Sequence, residues 1–181
     1  TWGCLYAQIQ QVRPLTIVKQ AAAPYGAPTS YPTFSYTASS DVAGSPWDGG
    51  FSLAPTGTGA AGQATRTANL VTGQTINIAE LSPTAANWAF GSLSCVDGAG
   101  NASIPGLTMS GAGISLSGDY STDTAAAAPI TCTFTNTYTP RATLTLAKQV
   151  TTTGQPAPQA VPADWTLSAT GTGAVSGQAG S

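Results

Sequence analysis

Charged side chains are scarce in this sequence, and histidine is missing altogether. Only 7% of the 181 residues are charged, and the formal net charge is −2. A typical soluble domain is about a quarter charged, so Thr, Ser, Asn, Gln and Gly must cover this surface. With five Lys and Arg in all, the sequence provides no basic footprint for nucleic acid or for an anionic membrane. The absence of histidine also excludes every histidine-based catalytic site.

Long apolar runs and metal-binding motifs are missing as well. No apolar run approaches the roughly 20 residues that a spanning helix needs, so we expect no membrane insertion in this segment. The three cysteines, Cys4, Cys95 and Cys132, do not have the spacing of a zinc site. Two of them could form a disulfide and leave one over. Without a phosphate-binding loop or a nucleophile elbow, we expect no cofactor, no metal and no turnover enzyme.

Short alternating strands are what the sequence has in abundance. In PITCTFTNTYTP, residues 129–140, four threonines alternate with Ile130, Cys132, Phe134 and Asn136. This period of two is typical of a β-strand with one buried and one exposed face. Other strands are predicted, between turns rich in Gly, Pro and Asn, at 15–20, 33–39, 51–53, 64–70, 74–80 and 89–96. No stretch has a helical period, so we predict an all-β protein built as an antiparallel, Ig-like β-sandwich.

Three of these strands end their apolar face with a polar residue: Lys19, Glu80 and Asn136. Burial disfavours the charged forms of lysine and glutamate, so a buried lysine shifts toward its neutral, nucleophilic amine. That amine can attack the Asn136 carboxamide while Glu80 polarises it and shuttles protons. Ammonia leaves, and an autocatalytic isopeptide bond remains. An ordinary ion pair between Lys19 and Glu80 is the simpler explanation of the pattern alone.

The sequence also contains an internal repeat. Residues 144–149, LTLAKQ, match residues 15–20, LTIVKQ, at an offset of 129. So long a period indicates tandem domains rather than a solenoid. We therefore predict an N-terminal arm, or the last strand of a preceding unit, at 1–14. A complete sandwich follows at 15–140, and the first part of a second, incomplete repeat at 141–181.

LTIVKQ, INIAELSPTAANW and TCTFTNT together resemble the prealbumin-like domains of bacterial surface proteins, the collagen-adhesin B-type and SpaA-type pilin repeats. The resemblance covers 15–139 and begins again at Leu144. In that family a first-strand lysine, a middle-strand glutamate and a last-strand asparagine form a spontaneous isopeptide bond, and Lys19, Glu80 and Asn136 occupy those positions. The chain departs from the family in its long Ala/Gly/Thr loops, its scarcity of charge and its cysteine pair.

The resemblance also bears on the cysteines. Related repeats with a cysteine in both places imply a disulfide between Cys95 and Cys132, which would form in an oxidising compartment. Two buried free thiols are the alternative. Cys4 then has a partner in a neighbouring domain or chain, or it is an inert thiol.

The function implied is that of a structural module in a bacterial extracellular fibre, pilus-like filament or adhesin stalk, at the cell surface or secreted. Its partners would be neighbouring repeats or identical subunits that pair through strands or sheet edges. The alternative is an adhesin module whose loops around Trp47 or Gly98 bind a host or environmental glycan or protein. Exposed aromatic residues at one end of the sandwich would favour this alternative, and buried ones would count against it.

Overall fold

The computed structural model describes residues 12–57, 60–118, 128–141, 144–147, 149, 153–154, 166–169 and 175–178. The chain divides into two compact units, Thr1–Pro140 and Arg141–Ser181. Every regular element in the described ranges is a β-strand, as the alternating pattern predicts. A search of those ranges finds no helix that is both long and apolar enough to span a membrane.

The first unit is built from nine strands. They are β1 (Val12–Ala22), β2 (Phe34–Ser40), β3 (Phe51–Leu53), β4 (Ala61–Val71), β5 (Thr75–Glu80), β6 (Trp88–Asp97), β7 (Leu107–Ser110), β8 (Gly113–Ser117) and β9 (Ile130–Tyr138). One sheet has the order β4-β1-β9-β6 and the other β3-β2-β5-β8-β7. In the second unit, β10 (Thr166–Ala169) pairs with the antiparallel β11 (Val175–Gln178).

The core lies between the two sheets of the first unit. On β9, Ile130, Cys132, Phe134 and Asn136 are all fully buried, whereas the alternating threonines are partly exposed. β1, β2, β5 and β8 also bury one face, and apolar side chains of both sheets form one hydrophobic cluster. This arrangement confirms the predicted all-β sandwich.

One strand pair departs from the antiparallel rule. The first and last strands, β1 and β9, are adjacent and parallel, with Leu15 opposite Ile130 and Ala21 opposite Asn136. β1 also begins three residues before the predicted start, at Val12. Pro14 lies opposite Asn69 of β4, one residue before the pairing with β9 starts at Leu15.

Candidate functional site

Lys19, Glu80 and Asn136 meet inside the sandwich. Lys19 Nζ donates hydrogen bonds to Glu80 Oε2 at 2.7 Å and to Asn136 Oδ1 at 2.6 Å. Asn136 Nδ2 donates to Glu80 Oε1 at 2.6 Å, which closes a triangle of polar contacts. Lys19 and Asn136 are fully buried, and Glu80 is 7% exposed. The structure thus brings together the three residues that the sequence singles out.

The strand arrangement explains why these side chains converge. Lys19 on β1 lies opposite Phe134 on β9, and Asn136 is two residues further along β9 on the same inward face. Glu80 is the last residue of β5 in the facing sheet, and it ends the buried face formed by Ile76 and Ile78. Lysine and asparagine therefore approach side by side within one sheet, while the carboxylate reaches them from across the core.

The surroundings of Lys19 favour its reactive form. Burial lowers the pKa of Lys19 from 10.5 to about 8, against the opposing effects of the hydrogen bond and the charge of Glu80. Nζ also lies 4.3 Å from the centroid of the Phe34 ring, which fixes it from another side. The amine is held against the amide it would attack, in a site closed to bulk water.

Tyr36 is a fourth polar member of the cluster that sequence reasoning missed. Its hydroxyl lies 3.4 Å from Glu80 Oε2, the oxygen that also accepts from Lys19. Burial raises the pKa of the Tyr36 phenol, and the Glu80 charge and hydrogen bond raise it further. The alternation of β2 predicts that the ring is buried, but the hydroxyl contact depends on the register that puts Tyr36 opposite Glu80.

The structure joins Cys95 and Cys132 in a disulfide. The two residues are directly opposite each other on β6 and β9, with Cα atoms 4.0 Å apart. The bond therefore links the closing strand β9 to its other neighbour. It lies on the same inward face of β9 as Asn136.

Removing this disulfide is expected to cost stability. In the chain-entropy description, a bridge that closes a loop of 37 residues contributes about 3 to 4 kcal/mol. A Cys95→Ala/Cys132→Ala double variant should therefore unfold at a lower temperature, whereas Cys4→Ala should melt like the native protein. Thiol titration of the denatured, unreduced chain gives the direct check. Three reactive thiols per chain would contradict the pairing.

The tryptophans described by the structure are core residues. Trp47 is fully buried and Trp88 is 8% exposed. The Arg66 guanidinium covers the Trp47 ring at 5.5 Å, and Arg66 Nη2 donates to the Pro46 carbonyl at 2.6 Å. Neither ring is available to stack on a sugar, which counts against the Trp47 part of the adhesin alternative.

The turn at Gly98 is closed by its own hydrogen bonds. Asp97 Oδ1 accepts from the backbone N–H groups of Ala99 and Asn101, and Oδ2 accepts from Asn101 Nδ2. These contacts lower the pKa of the Asp97 carboxyl. Within the described ranges, no group of three or more His, Cys, Asp or Glu side chains could hold a metal ion. Cys4, Trp2 and Trp165 lie outside the described residues.

Comparison with known proteins identifies the family to which this sequence is similar. Residues 15–138 match a family model described as a prealbumin-like fold domain, and residues 140–181 match a second model with the same description. A search of curated proteins finds no match.

Among solved structures, the chain is similar to two major pilins of Streptococcus pyogenes, both at 14% identity and over 71% of this chain. The TM-scores are 0.44 and 0.34, and the matches cover 45% and 48% of those chains. The chain therefore spans less than half the length of the solved structures it matches. Because the first family model alone matches well over half of the sequence, this chain belongs to the SpaA-type family of prealbumin-like fold domains.

Proposed function

We propose that this chain is a structural module of a bacterial extracellular fibre, pilus-like filament or adhesin stalk, with its first and last strands joined by a Lys19–Asn136 isopeptide bond. The observation that carries the proposal is the buried triangle of Lys19, Glu80 and Asn136. An amine, an amide and a carboxylate in mutual contact, shielded from water, are the reactants and the general base of an amide exchange.

The reaction balances without a further reactant. The Lys19 ammonium gives up one proton to solvent, and the neutral amine attacks Cγ of Asn136 while Glu80 Oε2 takes a second proton from Nζ. Glu80 then gives the proton to the departing Nδ2, which already donates to Oε1. The Nζ–Cγ bond forms, the Cγ–Nδ2 bond breaks, and ammonia leaves. Glu80 is regenerated as a carboxylate, so it acts as a proton shuttle.

The position of this bond suits a module under tension. Pulling on the chain loads β1 from its N-terminal side and β9 from its C-terminal side, so the parallel ladder between them is sheared. Residues 19 and 136 are separated by 117 positions along the chain. A covalent bond between them would carry the force directly from β1 to β9, and residues 20–135 would bear none of it. The Cys95–Cys132 disulfide ties β6 to the same strand.

Intact-mass measurement tests the proposal. After reduction of the disulfide, the native chain is expected to be about 17 Da lighter than its sequence mass, because one ammonia is lost per bond. Proteolysis should release a branched peptide that contains Lys19 and Asn136. Asn136→Ala, which has no carboxamide at this position, should keep its full sequence mass. A native chain at its full sequence mass would overturn the covalent part of the proposal.

Bond formation is expected to become faster as the pH rises, and to level off above about pH 8. The attacking species is the neutral amine, and the Lys19 pKa is about 8, so the reactive fraction grows as pH approaches that value from below. Among the described residues, Glu80 and Tyr36 are the titratable groups in this cluster, and the raised pKa of Tyr36 keeps it neutral.

Refolding provides the measurement. Chain recovered unfolded from inclusion bodies, and shown to have the unlinked mass, is diluted into buffers between about pH 6 and 9. The loss of mass is then followed with time. A rate that is independent of pH, or that falls as pH rises, would contradict attack by the Lys19 amine.

The wider organisation follows the same proposal. We infer that residues 141–181 belong to a second repeat, which agrees with their separate match to a prealbumin-like model, and that the residues before β1 are an arm or a strand of a preceding unit. The partners are then neighbouring repeats or identical subunits, and the setting is the bacterial surface or the extracellular medium.

A further inference from the structure

We propose that Tyr36 is a positioning residue for the isopeptide reaction: its hydroxyl holds the Glu80 carboxylate so that Oε2 faces Lys19 and Oε1 faces Asn136. This inference rests on the proposed function, because it assigns a role within the bond-forming step. It adds a polar residue of β2 to the three polar residues that β1, β5 and β9 contribute.

The reaction requires the Glu80 carboxylate to be oriented so that one oxygen meets Lys19 and the other meets Asn136 at the same time. Oε2 must remain against the Lys19 amine from which it takes a proton, and Oε1 against the Asn136 nitrogen that leaves. The terminal torsion of a glutamate side chain is broad and nearly two-fold, so the side chain alone does not hold its oxygens in place. A donor fixed on one side of the carboxylate restricts that rotation, and the Tyr36 hydroxyl at 3.4 Å from Oε2 is on the required side.

Tyr36 is itself held rigidly. It is 2% exposed. Its ring stacks on Phe51 with centroids 4.8 Å apart and planes 7° from parallel. It also meets the Phe134 ring edge-on at 5.3 Å. Because β2 and β5 place Tyr36 directly opposite Glu80, strand register and aromatic packing set the hydroxyl position before any reaction takes place.

The hydroxyl also stays a donor. The raised pKa of Tyr36 means that the phenol keeps its proton while Lys19 titrates near pH 8. The present distance of 3.4 Å is long for an O–H···O bond, and catalytic hydrogen bonds of this kind often shorten only as the reaction proceeds. The Tyr36 hydroxyl donates to Glu80, so in this proposal it acts through that carboxylate.

The test is a Tyr36→Phe variant, which removes one buried oxygen and keeps the ring packing on Phe51 and Phe134. We expect the loss of mass after refolding to be about tenfold slower, because a hydrogen bond to a charged group is worth at least that factor. We also expect the pH midpoint of the rate to move upward, since a Glu80 carboxylate that has lost one donor holds the Lys19 proton more tightly.

Tyr138→Phe is the matched control. Tyr138 is a partly buried tyrosine of the same sandwich, and it packs on Trp88 with centroids 5.3 Å apart. It should react at the native rate with the native pH midpoint. The double variant Tyr36→Phe/Asn136→Ala cannot form the bond. Its circular dichroism and thermal unfolding therefore measure any change in the fold itself.

The outcomes separate the two proposals. If the native chain loses ammonia, and Tyr36→Phe loses it at the same rate and with the same pH midpoint, the role of Tyr36 is overturned. The proposed bond itself is then unaffected. Equal slowing of Tyr36→Phe and Tyr138→Phe would also overturn it, because the effect would then come from general packing. A native chain that never loses mass overturns both proposals.

Discussion

Stretched from its two ends in reducing buffer, the native chain is expected to release no length between Lys19 and Asn136, whereas Asn136→Ala releases about 40 nm more. The additional length is the extended contour of the 117 positions that separate these residues, at about 3.5 Å each. The physical reason is that a covalent bond between parallel first and last strands leaves the enclosed loop outside the path of the force. Single-molecule force spectroscopy with tandem copies provides the measurement.

Asn77→Ala is the control for this experiment. It makes the same substitution in a strand asparagine, but Asn77 is exposed on β5, so the variant should extend like the native protein. Reducing buffer opens the Cys95–Cys132 disulfide, and this leaves the isopeptide bond as the only proposed cross-link. Release of the full additional length by the native chain would show that Lys19 and Asn136 are not covalently joined.

Glu80→Gln is expected to lower the unfolding temperature by about 25 °C, from two losses that act together. Without the carboxylate the bond does not form, which removes a cross-link worth about 5 kcal/mol for a loop of this length. Lys19, fully buried, also loses its counter-charge, which costs a further 3 kcal/mol or so. Glu80 is the single glutamate of the chain, and Asp48→Asn, an exposed change from acid to amide, is the control.

A triple variant, Lys19→Met/Glu80→Leu/Asn136→Leu, distinguishes the loss of a covalent bond from the loss of an ion pair. If the three residues form only an ion pair with hydrogen bonds, well-packed apolar replacements should be neutral or stabilise by about 1 to 4 kcal/mol. If Lys19 and Asn136 are covalently joined, the triple variant should still melt below the native protein. Calorimetry of native, Glu80→Gln and triple variants side by side distinguishes these results.

Much of the fold was predictable because strand alternation is a local property. Successive side chains of a strand point to opposite faces, so the sequence alone identifies the buried face of β9 and the polar residues that interrupt the apolar faces of β1, β5 and β9. The same alternation puts Tyr36 on the same face of β2 as Phe34. It did not predict what the Tyr36 hydroxyl contacts, since that depends on pairing between two separate strands.

Other features depended on contacts between distant segments. The core position of Trp47 comes from the Arg66 guanidinium of β4 and from the turn that carries the tryptophan, and a Gly- and Pro-rich stretch gives no periodic signal of such packing. The parallel pairing of β1 and β9 likewise has no local signature, because the alternation of a strand does not specify the direction of its neighbour.

The sequence by itself determined that the chain is an all-β protein, which face of β9 is buried, and that Lys19, Glu80 and Asn136 are polar groups placed on core faces. Only the tertiary structure decided that these three groups lie within 2.7 Å of one another, that Tyr36 joins them, and that the first and last strands are neighbours. The physical reason is range: burial follows from a two-residue period, whereas contact between residues 117 positions apart follows from sheet order and register, which the whole chain sets together.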